Sequence, residues 1–595
     1  MTERQSTFLT SLRQHVETAR GSKEDSPTQV SQYLRALQTP TQSEWERIAN
    51  IPRTYGYDES LVDWVHLDKS SVELKPVQKQ ALAAISELGG LFGPIPVGFG
   101  KTLIAWLAPV VAKAKRPLIL MPSHLIDSFK AEVGRFRHYF RQGYREPEVR
   151  SYAILSSRKQ STLLEDMRPD MIVGDEAHTL RNETSSRGLR LRRYLHKYPD
   201  TKVVLLSGTF VDKKLSDLAE LTHFCLRENN FIPTDTHCHE VWKQCVDLDG
   251  RPSEEHWNAF RPLVHAEGME YGASRTDESR RKVARRAVCV RMASTPGVVM
   301  SEEVSTPVPL FMHRVNFTVP APVLDLIDTL EVGGKTPDGD DIIVEDSQKA
   351  RLAKTLSLGF FHRWAWERIG GRDEEWLMAR RTWSRALRFE ISENARENYD
   401  SAALIEADVQ RVLRKDPKAS GSIYTAWRTW LPHREKLQPP TEPVWVDAFV
   451  FHRVGQWLSQ QTRPTIVWYQ HQVVGDVLAR MGLEVYGAGT SQPVFAGRHI
   501  AASITVHGTG KNLQAWDQML VIEPPSSGKT WEQLIGRTHR QGQTAPRVDV
   551  FVLCHTDVLN KAMDKACEEA EFACDITGCV QRLQRATWTK TSFDP

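Results

Sequence analysis

The sequence predicts an α/β protein with two parallel-sheet lobes, helical insertions and a helical N-terminal segment. Two observations carry that prediction. Short, continuously apolar runs alternate with helical stretches between residues 91 and 207, and the same alternation returns between about 446 and 560. Continuous apolar strands separated by helices belong to parallel sheets covered on both faces. Several of these runs also end in polar residues, on the edge where open α/β sheets bind their ligands.

Taken in order, residues 1–70 are polar with helical patches, and are expected to form a helical N-terminal segment. Leu74-Lys75-Pro76-Val77-Gln78 opens a helix, because proline suits a first-turn position. The Gln78 amide has the groups to read an adenine edge, and equally to sit as a solvated helix glutamine. Pro117–Met121, Met171–Gly174 and Lys202–Leu206 are the predicted strands of the first lobe, placed at 71–300. The region 301–445 is expected to be a linker and an Arg/Trp-rich helical insertion. The second lobe, 446–595, is expected to use Thr465–Tyr469, Ile500–Ile504, Met519–Ile522 and Val548–Leu553, with a helix and a polar end after them.

Composition limits the function classes. With 595 residues the length suits about three or four domains. A net charge of +3 means that any nucleic-acid contact relies on local patches. No apolar run reaches the roughly 20 residues that span a bilayer, and Met1–Arg20 has no secretory pattern, so an intracellular, cytoplasmic protein with no membrane contact is expected. The eight cysteines lack a regular spacing and read as reduced thiols. His223, Cys225, His237, Cys238, His239 and Cys245 crowd together without a Cys-x-x-Cys pair, which leaves zinc and plain buried thiols as alternatives. Arg275, Arg280, Arg281, Lys282, Arg285, Arg286 and Arg291 form a basic run that suits a solvated helix face, a phosphate contact or a hinge. The stretch from Arg363 to Arg388 interleaves arginine with tryptophan, a pattern of nucleic-acid grooves and also of helical cores.

The chemistry starts at Gly98-Phe99-Gly100-Lys101-Thr102, before a helical pattern. Glycines let main-chain N–H groups face an anion, and the following helix adds its positive end. Lys101 suits the outer phosphates of ATP and the Thr102 hydroxyl suits Mg²⁺. The full pattern has a glycine where Ile95 stands, and Gly-x-Gly-Lys also occurs in plain turns. Asp175-Glu176 ends an apolar strand downstream, where Asp175 suits Mg²⁺ and Glu176 suits activation of a water.

These stretches are followed by Ser207-Gly208-Thr209, by Gly508-Thr509-Gly510-Lys511-Asn512-Leu513-Gln514, and by Gln533 to Gln543 with Gly536-Arg537-Thr538-His539-Arg540 inside it. In that order they resemble a superfamily 2 helicase, with Asp-Glu-Ala-His at 175–178, and the last string is similar to that of the Snf2-like branch. The resemblance implies two RecA-like lobes with ATP in the cleft between them and nucleic acid across both. It implies that Gln78 meets adenine, and that Gly98, Gly100, Lys101 and Thr102 meet phosphate and Mg²⁺. It puts Gly510 at the nucleotide, makes His178, Ser207, Thr209 and Gln533 coupling residues, and sends Arg537 and Arg540 to the γ-phosphate. Ile95, Gly174 and the segment 210–445 depart from the family pattern.

The expected function is therefore an ATP-dependent translocase or helicase acting on duplex or branched DNA. Its partners are expected in replication, recombination or repair, and its compact form suggests a bacterial or viral source. The rival readings are a strand-separating helicase, an RNA or RNA–protein remodeller, and an ATP-switched nucleic-acid-binding scaffold.

Overall fold

A computed structural model describes residues 42–67, 72–143, 145–157, 162–182, 185–272, 276–301, 306–393, 402–436, 438–491, 493–508 and 512–594. Most of the expected N-terminal segment lies outside these. Within it, Gln42–Ala49 is a helix and Glu59–Val65 a short 3₁₀ turn.

The chain divides into two units, residues 1–303 with 572–579, and residues 304–571 with 580–595. The first holds five strands: β1 (Leu91–Pro94), β2 (Pro117–Met121), β3 (Glu148–Ser151), β4 (Met171–Asp175) and β5 (Lys202–Ser207). They pair in parallel in the order β1-β5-β4-β2-β3. Successive side chains of a strand point to opposite faces, and the core divides accordingly. Leu118, Leu120, Ile172, Val203 and Leu205 enter one apolar cluster. Ile119, Met121, Met171, Val173, Val204 and Leu206 enter the other. Phe572 and Ile576, from late in the chain, join the first cluster. Burial on both faces is why β2, β4 and β5 read as unbroken apolar runs.

The basic run divides: Arg275 lies outside the described residues, and on the helix Asp277–Ala293 Lys282 and Arg286 are exposed whereas Arg285 and Arg291 are buried. Arg285 donates to the Val246 carbonyl at 2.9 Å, and Arg291 to that of Pro52 at 3.2 Å. These two guanidiniums satisfy main-chain oxygens inside the unit and are neither solvated nor offered to phosphate.

The second unit contains a seven-stranded parallel sheet. Its strands are β6 (Leu310–Asn316), β9 (Thr465–Tyr469), β10 (Glu484–Tyr486), β11 (Ile500–Ser503), β12 (Gln518–Val521), β13 (Val548–Leu553) and β14 (Thr587–Ser592). The order is β10-β11-β9-β12-β13-β6-β14. The boundaries differ from the expected ones. β6 comes from the expected linker and β14 from the expected polar end. Both carry polar residues that the sheet uses: His313 of β6 shares a hydrogen bond with Thr589 of β14 at 2.6 Å and another with Asp549 of β13 at 2.9 Å. Asp549 also accepts from Arg463 and Arg547, at 2.7 and 2.9 Å.

Between β6 and β9 lies the insertion, with the antiparallel pair β7 (Phe360–Trp364) and β8 (Thr441–Trp445) and the helices Glu374–Glu393, Ala402–Lys415 and Ser422–Trp430. Trp366, Trp376, Trp383, Trp427 and Trp430 are buried together as its core. These tryptophans hold the insertion together and are not presented for base stacking.

Candidate active site

In the parallel sheet of the first unit, β1 pairs with β5 and β5 with β4, so the segments leaving these three strands emerge side by side. The segment after β1 is the glycine loop. Gly98 and Gly100 have φ of 100° and 72°, and Gly100 caps the helix Lys101–Val111. The carbonyls of this loop are engaged from behind. Lys75 Nζ donates to Gly98 O at 3.1 Å, Gln78 Nε2 to Phe99 O at 3.0 Å, and Lys101 Nζ to Ile95 O at 3.2 Å. Gln78 is buried, and its Oε1 accepts from Lys75 N at 2.8 Å, so its amide closes the helix cap as well as bracing the loop. Among the described residues no hydrogen bond takes up the N–H groups of Gly98, Phe99 or Gly100. Free N–H groups ahead of a helix N-terminus, with a lysine beside them, are the donor set that phosphate needs. Ile95, where the loop pattern has glycine, points its side chain into the apolar core instead.

β4 ends on Asp175. Tyr152 donates its hydroxyl to the Asp175 carbonyl at 2.9 Å, and Gly174 precedes it because a Cβ there would lie 2.9 Å from both that hydroxyl and Leu205. The glycine that interrupts the apolar strand is thus a packing requirement. Glu176 follows in the left-handed region, φ 52°, a conformation costly for a residue with a Cβ. It is held there by its carboxylate, which accepts from Ser207 Oγ at 3.1 Å and faces His178 Nδ1 at 3.3 Å. Ser207 Oγ in turn accepts from Thr209 N at 3.1 Å and lies 3.2 Å from His178 Nδ1. Between Ser207 and Thr209, Gly208 lets β5's exit pass the glycine loop, since a Cβ would sit 3.1 Å from Val97 N.

Asp175 is buried, Glu176 is half-buried beside it, and the two titrate apart. Burial raises Asp175, and the neighbouring Glu176 charge raises it further against the pull of Lys101. Burial opposes ionisation of Glu176 too, but the His178 contact and the Lys101 and Ser207 interactions hold it well below the usual carboxylate range. One ionised acid and one poised acid, with a lysine between loop and strand ends, suit divalent-metal and phosphate chemistry. Thr102, partly buried in the first helical turn, and Asp175 are the residues fit to hold a metal ion.

Residues 57–275, which contain every one of these groups, match the SNF2-related domain family. That match supports a Snf2-like ATPase of superfamily 2 over this part of the chain. No curated protein matches it. The five-stranded and seven-stranded parallel sheets agree with two RecA-like lobes.

In the second unit, the helix Gly528–Ile535 carries Gln533 and leads into the arginine-bearing turn. Arg537 is buried, and its Nε donates to Gln533 O at 2.8 Å. Leu513 N donates to Arg537 O at 3.0 Å, which joins the Asn512-Leu513-Gln514 segment to the turn. Gly510 lies outside the described residues. The neighbouring His539 donates from Nε2 to Val308 O at 2.7 Å, and burial pushes its imidazole down to about 4, so it is neutral at pH 7.

Sequence reading missed the support beneath this turn. Glu532 and Arg582 form a buried ion pair. Arg582 N donates to Glu532 Oε2 at 2.7 Å, and Arg582 Nε donates to His539 O at 3.1 Å, one residue before Arg540. No short motif could reveal partners so far apart in the chain. The suspected metal cluster takes a plain form: Cys225, Cys238 and Cys245 are buried, and burial raises all three thiols. Among the described residues no group of three or more His, Cys, Asp or Glu is arranged to hold a metal, and no helix is long and apolar enough to cross a membrane.

Proposed function

We propose that the chain hydrolyses ATP to translocate along duplex or branched DNA, within the cytoplasm. The observation that carries the reading is the linked set at the edge of the first sheet: Lys101 on the glycine loop, Asp175 and Glu176 at the end of β4, and His178, Ser207 and Thr209 hydrogen-bonded to Glu176 or to one another.

In this reading Lys101 exchanges its bonds to the Ile95 and Pro96 carbonyls for the outer phosphates of ATP. The N–H groups of Gly98 and Gly100 bind the same phosphates. Thr102 and Asp175 hold Mg²⁺, whose charge supplies electrostatic stabilisation of the phosphoryl group. Glu176, kept ionised by its contacts, orients the attacking water and takes its proton. Gln78 reports the adenine edge to the loop, because its amide is already bonded to Phe99 O. Thr209, Ser207 and His178 carry the nucleotide state away from Glu176, with Gln533 and Gly510 as further coupling and nucleotide contacts. Arg537 and Arg540 act on the γ-phosphate, with Arg540 as the transition-state contact.

The duplex track is supported by the Snf2-like string Gly536 to Gln543. Following a phosphate backbone needs no base pairs opened, whereas opening them costs about 1.4 kcal/mol per step in stacking. The test is steady-state ATP hydrolysis with single-stranded DNA, duplex DNA, forked DNA and RNA. Duplex or forked DNA is expected to stimulate most, and strongest stimulation by RNA would overturn the DNA assignment.

A further inference from the structure

The insertion of the second unit sorts its cations into two sets. Arg363 pairs with Glu442, Arg372 and Arg381 with Asp340, and Arg380 with Asp341. Those charges are spent inside the lobe. Lys335, Arg385 and Arg388 have no carboxylate partner among the described residues. The three meet around one cavity of about 340 Å³, and Phe389 forms part of the same wall with 57% of its surface exposed.

The geometry there is built. Arg385 and Phe389 are four residues apart on the helix Glu374–Glu393 and so share a face, with Arg388 beside them. Arg388 Nη1 donates to Gly333 O at 3.2 Å, and its guanidinium fills the space where a side chain at Gly334 would stand. One edge of this cation is thereby fixed while the residue stays exposed. Lys335 follows Gly334 on the opposite wall.

We propose that this cavity binds an unpaired nucleotide of a nucleic-acid strand, with the phosphate on Lys335, Arg385 and Arg388 and the base stacked on Phe389. The volume is at the lower end of small-ligand sites, enough for a nucleotide. Three cations without acidic partners attract a phosphodiester, and a base offers its face to Phe389 only when it is unpaired. An acidic peptide would satisfy the cations and make no use of the exposed ring face. In the Snf2-like motor such a site holds a displaced or branched strand, and it rests on the reading that nucleic acid is the substrate.

The test uses the full chain and fluorescent oligonucleotides: single-stranded DNA, single-stranded RNA of the same sequence, duplex DNA, and a polyglutamate peptide as competitor. Phe389→Ala is expected to weaken single-strand binding by about 5- to 150-fold, the range for loss of one stacked base, and to leave blunt duplex binding unchanged. Lys335→Glu with Arg385→Glu is expected to lower the salt slope for single strands by about 1.4. The DNA and RNA arms decide which strand the site prefers. Independently of any variant, iodouracil-substituted single strands should cross-link to the peptide carrying Phe389 in the unaltered chain. Equal losses on single strand and duplex, displacement of DNA by polyglutamate with an affinity indifferent to Phe389→Ala, or cross-links that avoid this peptide would each overturn the site. Failure of the unaltered chain to bind any nucleic acid would instead overturn the functional reading beneath it.

Discussion

The two units bury carboxylates for opposite purposes. In the first, burial and the neighbouring Glu176 charge oppose ionisation of Asp175, while His178, Lys101 and Ser207 keep Glu176 ionised. In the second, Glu532 faces Arg582, and Asp549 faces His313, Arg463 and Arg547. The first arrangement stores unfavourable charge where phosphate and metal chemistry would relieve it. The second neutralises charge to hold a sheet and a turn in place. A frustrated buried pair beside matched ones separates a working site from its scaffold more sharply than burial alone.

That contrast breaks most visibly in kinetics. Arg540→Ala is expected to cut ATP turnover by about 10³- to 10⁵-fold while ATP affinity, measured with a fluorescent analogue, stays near that of the unaltered chain. A parallel loss of affinity would make Arg540 a ground-state contact. Next come the frustrated acids. Glu176→Gln should cost about 10²- to 10⁴-fold in turnover with ATP binding retained. Asp175→Asn should also abolish turnover, yet raise thermal stability by about 1 kcal/mol, because it removes the carboxyl whose ionisation burial and Glu176 oppose. Destabilisation by Asp175→Asn would show that the pair is structural after all.

The matched acids should respond the other way. Glu532→Ala leaves Arg582 buried without its partner and is expected to cost about 3–5 kcal/mol in denaturant unfolding. Replacing both, Glu532→Leu with Arg582→Met, should restore most of that stability. If the pair also positions the turn before Arg540, the double variant remains slow in ATP turnover although it is folded. Among the matched acids the smaller effect is at Asp549. Burial raises its pKa, but His313, Arg463 and Arg547 outweigh it and bring the carboxyl from 3.8 down to about 2. A depressed folded value contributes stability above the unfolded pKa, and that contribution is lost as pH falls toward 2. It amounts to about 2 kcal/mol. Asp549→Asn should therefore flatten the fall in unfolding free energy between about pH 5 and pH 2, and an unchanged slope would mean that other carboxylates carry it.

Much of the site was legible because its residues are contiguous in motifs and sit at strand ends. Lys101, Asp175, Glu176, His178, Ser207 and Thr209 could be read from spacing and resemblance, and the first sheet gathers them on one edge. The strands were legible where both faces are buried, as in β2, β5 and β13, and illegible where a strand is polar. β14 has almost no apolar residue, and β6 mixes His313 and Arg314 with its apolar positions. Long-range pairing was invisible altogether: nothing local links Glu532 to Arg582 or Arg285 to Val246. The arginine–tryptophan stretch misled for a related reason. Both chemistries it suggested are present, but the five buried tryptophans form a core and several of the arginines are paired with Asp340, Asp341 or Glu442, while the cavity beside Phe389 faces out.

The most direct measurement of the central claim is displacement of a triplex-forming strand from a long duplex, run beside a labelled fork. With ATP the unaltered chain is expected to strip the third strand efficiently and to separate the fork slowly, and Glu176→Gln should do neither. Robust fork separation with no triplex displacement would contradict the translocase account and leave a strand-separating helicase.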